Sequence, residues 1–172
     1  MTMDPEIRRL LDRQAIVDCL HRYSRGLDRH DEEVLASAFW EDAIDHHGDF
    51  LGPPSTFVPW ANELHAADWA GHTHFLDPGT IEIDGDVAHS ECYVLWVLRQ
   101  KEGSLVDLGG GRYIDRFERR AGEWRIAARE LLVDWSAQAE GLRFRDVGAL
   151  YPTGTWDRSD ASYRRPFELE GP

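Results

Sequence analysis

Two cysteines, Cys19 and Cys92, are all that the 172 residues contain. That is too few for a disulfide framework, and they lack the paired spacing of a zinc site. Both lie in apolar patterns and read as buried free thiols of a reducing compartment. Long apolar runs are missing too: the longest, Tyr93–Leu98, falls far short of the ~20 residues needed to cross a bilayer as a helix. The polar start, Met-Thr-Met-Asp-Pro-Glu, has none of the features of a signal peptide. Positive charge is scarce, with 19 Lys plus Arg against 32 Asp plus Glu and a net charge of −13. Such a surface repels nucleic acid and anionic membrane, which excludes both as partners. The expectation is a soluble, cytoplasmic protein.

Apolar residues and aromatic rings are plentiful. Apolar residues make up 42% of the chain, including seven Trp, seven Phe and five Tyr. The length suits one domain with a sizeable core, and the surplus of rings can line a cavity for a flat apolar ligand.

Residues 5–27 read as an amphipathic helix, capped by Asp4, with Pro5 in its first turn and Ile16, Leu20, Tyr23 and Leu27 forming one apolar stripe. A short helix over 32–38, a strand near 42–46 and a third helix over 55–69 follow, the last opened by Gly52-Pro53-Pro54. Beyond His72 the period changes to that of strands. Residues 72–83 lead to the turn Asp84-Gly85, 87–100 alternate, and 105–119 and 124–135 are joined through Ala121-Gly122. Helices followed by an antiparallel meander predict an α+β domain in which helices cover one face of a curved sheet. Gly109-Gly110-Gly111 inside a strand predicts a bulge or sharp bend. Residues 137–172 lose periodicity and read as an irregular tail that covers a pocket mouth, lies on a neighbouring subunit, or is disordered.

Five residues stand out chemically. Asp28 follows the apolar stripe at the C-terminal end of the first helix, where a carboxylate opposes the helix dipole. His72 and His74, two apart on a strand, face the same side, and a histidine beside a carboxylate is suited to abstracting protons near neutral pH. Arg129 lies on the apolar face of the last strand with Ala127, Leu131, Val133 and Trp135. It needs an anionic partner there: a core acid in a structural ion pair, or a ligand. Tyr23 carries a hydroxyl into the buried stripe of the first helix. A rival reading, a metal enzyme built from Asp45, His46, His47, His72, His74 and Glu82, has suitable ligand types. Its His-x-His pair, however, lacks the following acid of a cupin and meets Pro78 instead.

The order of these features resembles the SnoaL-like branch of the nuclear-transport-factor-2-like (NTF2-like) superfamily. The resemblance rests on Tyr23-Ser-Arg-Gly-Leu-Asp28, Phe39-Trp40, Thr73-His74-Phe75, Ile81-Glu82-Ile83-Asp84-Gly85-Asp86, Gly110-Gly111-Arg112-Tyr113, Phe117-Glu118-Arg119-Arg120-Ala-Gly-Glu-Trp124-Arg-Ile and Asp134-Trp135. It covers residues 5–136 and implies a cone-shaped α+β barrel over 1–136, with helices packed against a strongly curved antiparallel sheet. Within the superfamily the likeness runs to bile-acid 7α-dehydratases, hexachlorocyclohexane dehydrochlorinase and scytalone dehydratase, whose His–Asp pair eliminates water or HCl. It puts the acid on Asp28 and the histidine on His74. The dehydratases' helix-one tyrosine falls on Tyr23, and the dehydrochlorinase arginine, five residues after its strand tryptophan, falls on Arg129. Two departures stand out: no lysine lies near Asp28, and a second pocket aspartate of the bile-acid enzymes falls near Val97. The implied protein is a cofactor-independent lyase without a metal, a homo-oligomer (trimer or dimer), acting on a hydrophobic cyclic substrate lined by Trp40, His72, Trp96 and Trp135. An isomerase of the ketosteroid type and a non-catalytic binding protein are the alternatives.

Overall fold

The computed structural model describes residues 3–141 and 151–167. Helix α1 (Pro5–Asp28) starts where Asp4 accepts the amide of Glu6 and buries Ile16, Cys19, Leu20, Tyr23 and Leu27. It is followed by α2 (Glu32–Ala36), β1 (Phe39–His47), β2 (Phe50–Gly52) and α3 (Pro54–Asp68). The second half runs β3 (Trp69–Leu76), β4 (Thr80–Asp84), β5 (Val87–Gln100), β6 (Leu105–Arg120) and β7 (Glu123–Glu140), with a 3-10 turn at Ala161–Tyr163.

One sheet contains all seven strands, in the order β2-β1-β7-β6-β5-β3, with β4 also paired to β5. The strand region over 72–83 is two strands, because Asp77-Pro78-Gly79 breaks the ladder, and both halves pair with β5. The β5–β6–β7 meander is antiparallel, whereas β1 runs parallel to β7. The sheet is therefore mixed rather than wholly antiparallel, and it stays open between edge strands β2 and β3. That edge supplies the site, since β3 keeps an unpaired row of backbone groups. The final strand also continues to Glu140, four residues past the point where the alternation fades in sequence. Its last residues pair with Leu105–Gly109 of β6 although they are exposed.

The inner face of the sheet packs on the helices through Phe39, Ala43, Ala88, Cys92, Val94, Tyr113, Phe117, Trp124 and Ile126. The Glu-Arg-Arg-x-Gly-x-Trp turn is a clamp for α1. Arg119 donates to both carboxylate oxygens of Asp12 at 2.9 and 3.0 Å, and the Trp124 indole donates to one of them at 2.9 Å.

A close approach fixes the angle at which α1 hands over to α2. A Cβ on Gly26 would lie 2.4 Å from the Leu35 backbone nitrogen and 2.6 Å from its Cα. Helix propensity alone predicts that Gly26→Ala stabilises by roughly 1 kcal/mol. The contact is with backbone, which cannot rotate away, so the expected result has the opposite sign: a loss of about 1–3 kcal/mol and a lower thermal midpoint by calorimetry.

Candidate functional site

The last turn of α1 ends in a Schellman motif: Asp31 donates its amide to the Gly26 carbonyl at 2.9 Å and His30 donates to that of Leu27 at 3.3 Å. His30 occupies the left-handed position, φ 49°, where glycine is usual. This geometry delivers Asp28 and His30 side by side to edge strand β3. Asp28 accepts the backbone amide of His74 on both oxygens, at 3.1 and 3.0 Å, and the His74 Nδ1–H on Oδ1 at 2.7 Å. The outward amide of the edge strand and the imidazole together satisfy a carboxylate that would otherwise face a helix C-terminus. With Nδ1 protonated, Nε2 of His74 carries the lone pair.

His72, two residues earlier, points the same way. Its Nε2 lies 3.0 Å from the Leu27 carbonyl and 3.7 Å from Asp28. A carbonyl only accepts, so Nε2 bears the proton. His65 of α3 lies beside it, with ring centroids 4.1 Å apart, and is 5.8 Å from the ring of His74. His30 lies 5.3 Å from His72 and stacks on Trp156 at 4.0 Å and 12°. Burial, reinforced by the neighbouring imidazoles, lowers His65 to about 2 and His72 to about 4. Burial also lowers His30, against the pull of Asp28. These rings are neutral at pH 7.

Trp96 completes the floor. Cross-strand partners share a face, and His74, Trp96 and Gly109 form one row across β3, β5 and β6. The Trp96 ring lies where a Gly109 side chain would be, with a Cβ falling 2.0 Å from its Cζ2. The glycine run is thus space for a ring as well as a bend.

The four expected catalytic residues divide into two groups. Asp28 and His74 form the first. Tyr23 and Arg129 form the second, in the interior. There the Arg129 guanidinium donates to Asp115 at 2.7 and 2.8 Å and lies 4.0 Å from the ring centroids of both Tyr23 and Tyr113. Both side chains of the ion pair are fully buried. Burial opposes the charge on Arg129, but Asp115 outweighs it and holds the guanidinium charged. Tyr23 lies 3.5 Å from the Tyr113 hydroxyl, and burial raises its pKa. Asp45, paired in register with Arg129, is also fully buried and faces His47 Nδ1 at 3.3 Å. Nη1 of Arg129 and both oxygens of Asp45 find no hydrogen-bond partner among the described residues.

Two of the expected lining residues lie elsewhere. Trp40 alternates with buried Phe39 and so faces outward, donating to the Glu118 carbonyl at 3.0 Å between Arg120 and Arg125. Trp135 was assigned to the face of Arg129. A bulge pairs Gly111 with Val133 but Gly110 with Trp135, and the extra residue turns Trp135 to the outer face. There it lines a groove of about 590 Å3 with Phe75, Tyr93, Leu95 and Gly110. The metal set drawn from the sequence also disperses: His46 pairs with exposed Glu130 and Glu82 is opposite His89 on β5.

The sequence reading missed Asp115, His65, His30 and Trp156. Asp115 alternates with Tyr113 and Phe117 on an apolar face, and His65 continues the Phe57, Ala61 spacing of α3. Both signals were readable. His30 and Trp156 carried none. The segment 151–167 reaches the site through Trp156 and is tied to the helices by Tyr163, which donates to Asp31 at 2.6 Å, and by Asp160, which lies 3.6 Å from Arg29. Residues 142–150 and 168–172 of the expected tail lie outside the described residues.

Comparison with known proteins sets this geometry in a family. The chain is 28% identical over 152 residues to hexachlorocyclohexane dehydrochlorinase 1 of Sphingobium indicum, covering 84% of this chain and 96% of that protein. The crystal structure of the type-3 hexachlorocyclohexane dehydrochlorinase of Novosphingobium barchaimii superposes with a TM-score of 0.73 at 25% identity, covering 81% and 97% of the two chains. An NTF2-like protein of Novosphingobium aromaticivorans shares the fold, with a TM-score of 0.65 at 23% identity over 75% and 86% of the chains. The SnoaL-like domain family matches residues 8–130, and the chain belongs to that family, within the NTF2-like superfamily.

Proposed function

We propose that the chain is a cofactor-independent lyase of the dehydratase or dehydrohalogenase type, in which Asp28 and His74 remove a proton from a hydrophobic cyclic substrate. The observation that carries this reading is the 2.7 Å contact between Asp28 Oδ1 and His74 Nδ1, made by a carboxylate already anchored to the His74 amide. The lyase names of the relatives support the same reaction class.

Asp28 fixes the tautomer of His74 and stabilises the imidazolium, as the acid does in a Ser-His-Asp triad. Nε2 of His74 takes a proton from a ring carbon, the electron pair forms the double bond, and hydroxide or halide leaves from the adjacent carbon. Trp96 and His72 are assigned to one wall of the substrate space, with Trp156 of segment 151–167 lying against the His30 and His72 rings. Tyr23 and Arg129 are assigned as the donors to a developing oxyanion, Arg129 through its unspent Nη1. Without a leaving group the same dyad shifts a double bond, which is the isomerase reading. Homo-oligomerisation is assigned to the outer apolar face around Phe75, Tyr93 and Trp135, all exposed.

The test is product analysis after incubation of the purified protein with a panel of halocyclohexanes, hydroxysteroids and ketosteroids. The expected product carries one new double bond, with one equivalent of water or hydrogen halide released. An isomer of unchanged composition would favour the isomerase instead, and binding without any product would overturn the enzymatic reading.

A further inference from the structure

We propose that His30, His65 and His72 form a three-imidazole site for a divalent first-row transition-metal ion such as Zn2+, beside the Asp28–His74 dyad and separate from it. One ring nitrogen from each of the three lies within 4.8 Å of the other two. Each ring also has a buried nitrogen that meets no hydrogen-bond partner among the described residues: Nε2 of His30, Nδ1 of His65 and Nδ1 of His72. Buried polar atoms are nearly always paired, so three orphans in one cluster call for a ligand that accepts lone pairs.

The chemistry of each ring agrees. His72 gives its Nε2 proton to the Leu27 carbonyl, which leaves Nδ1 bare and orients the ring. A backbone carbonyl behind a ligand histidine is the usual second partner in metal sites. His30 occupies a left-handed position that glycine fills at no cost, and the backbone arrangement brings its imidazole to the other two. His65 enters from a different element, on the buried face of α3. Trp156 covers His30, and Trp69, with its ring centroid 6.0 Å from that of His65, adds to the apolar surround. Zinc–nitrogen bonds of about 2.0–2.1 Å set tetrahedral ligand nitrogens roughly 3.4 Å apart. The ring nitrogens, within 4.8 Å of one another without an ion, have to draw together to that distance when one binds. Three protein ligands leave the fourth position open to an oxygen ligand. Asp28 and His74 are not members of this trio; His72 is shared with the proposed substrate wall, so the site is tested on His30 and His65, which the lyase reading does not use.

The experiment uses the full chain, stripped with a chelator and then titrated with Zn2+ by calorimetry and with Co2+ by visible absorption. One equivalent is expected to bind, with the cobalt spectrum of a tetrahedral nitrogen site. His65→Ala and His30→Gly are each expected to weaken binding at least 100-fold. His30→Gly should keep or raise the thermal midpoint of the metal-free protein, because it relieves the left-handed backbone. That control separates loss of a ligand from loss of fold. Absence of one-to-one binding, or binding that survives both substitutions, would overturn the proposal. So would binding lost in His74→Ala and retained in His65→Ala, which would put the ion on Asp28, His72 and His74.

Discussion

Asp28→Asn is expected to lower kcat/KM by about 10²–10⁴-fold on any substrate the wild-type protein eliminates, with KM nearly unchanged. The amide is nearly isosteric with the carboxylate, so His74 stays in place. Asparagine, however, can turn its NH2 toward Nδ1 and force the proton onto Nε2, the nitrogen that has to accept one. It also removes the negative charge that stabilises the imidazolium. His74→Ala removes the base itself and is expected to cost a similar factor. The double variant should be no worse than either single one, because the two residues act as a unit. Steady-state kinetics of the three variants checks this. Additive losses would mean that the two act independently.

The second large effect concerns stability. Arg129 is fully buried, makes two short bonds to buried Asp115 and is held between the rings of Tyr23 and Tyr113. Arg129→Leu strips the buried Asp115 carboxyl of its counter-charge and of both hydrogen bonds, with Asp45 also nearby in the interior. The expected loss is about 3–5 kcal/mol, which for a domain of this size lowers the thermal midpoint by roughly 6–20 °C. Replacing both partners, Arg129→Leu with Asp115→Leu, should recover much of it, because the cost lies in the orphaned carboxyl. Calorimetry on the single and double variants decides the matter. A single variant of wild-type stability would mean that the ion pair contributes nothing to the fold.

This pair also illustrates what could be read without a structure. Arg129 on an apolar strand face demanded an anion, and the alternatives of a core acid and a ligand stood level. Asp115 presented the same anomaly one strand away, and joining the two needed only the β6–β7 register. The long first helix and the acid at its end were legible because their periodicity is local. Trp135 was misassigned because alternation holds only while a ladder stays in phase, and one extra residue opposite Gly110-Gly111 reverses every face after it. The parallel pairing of β1 with β7 joins segments about 85 residues apart and leaves no local trace. His30 and Trp156 were silent for the same reason: their placement depends on a helix cap and on a segment with no periodicity.

The most direct measurement compares wild type and His74→Ala on a substrate that the panel identifies, at equal concentrations of protein shown by calorimetry to be folded. The wild-type protein is expected to release one equivalent of leaving group per double bond formed, and His74→Ala to do so at least about 100-fold more slowly. Undiminished turnover by folded His74→Ala would contradict the assignment of His74 as the base.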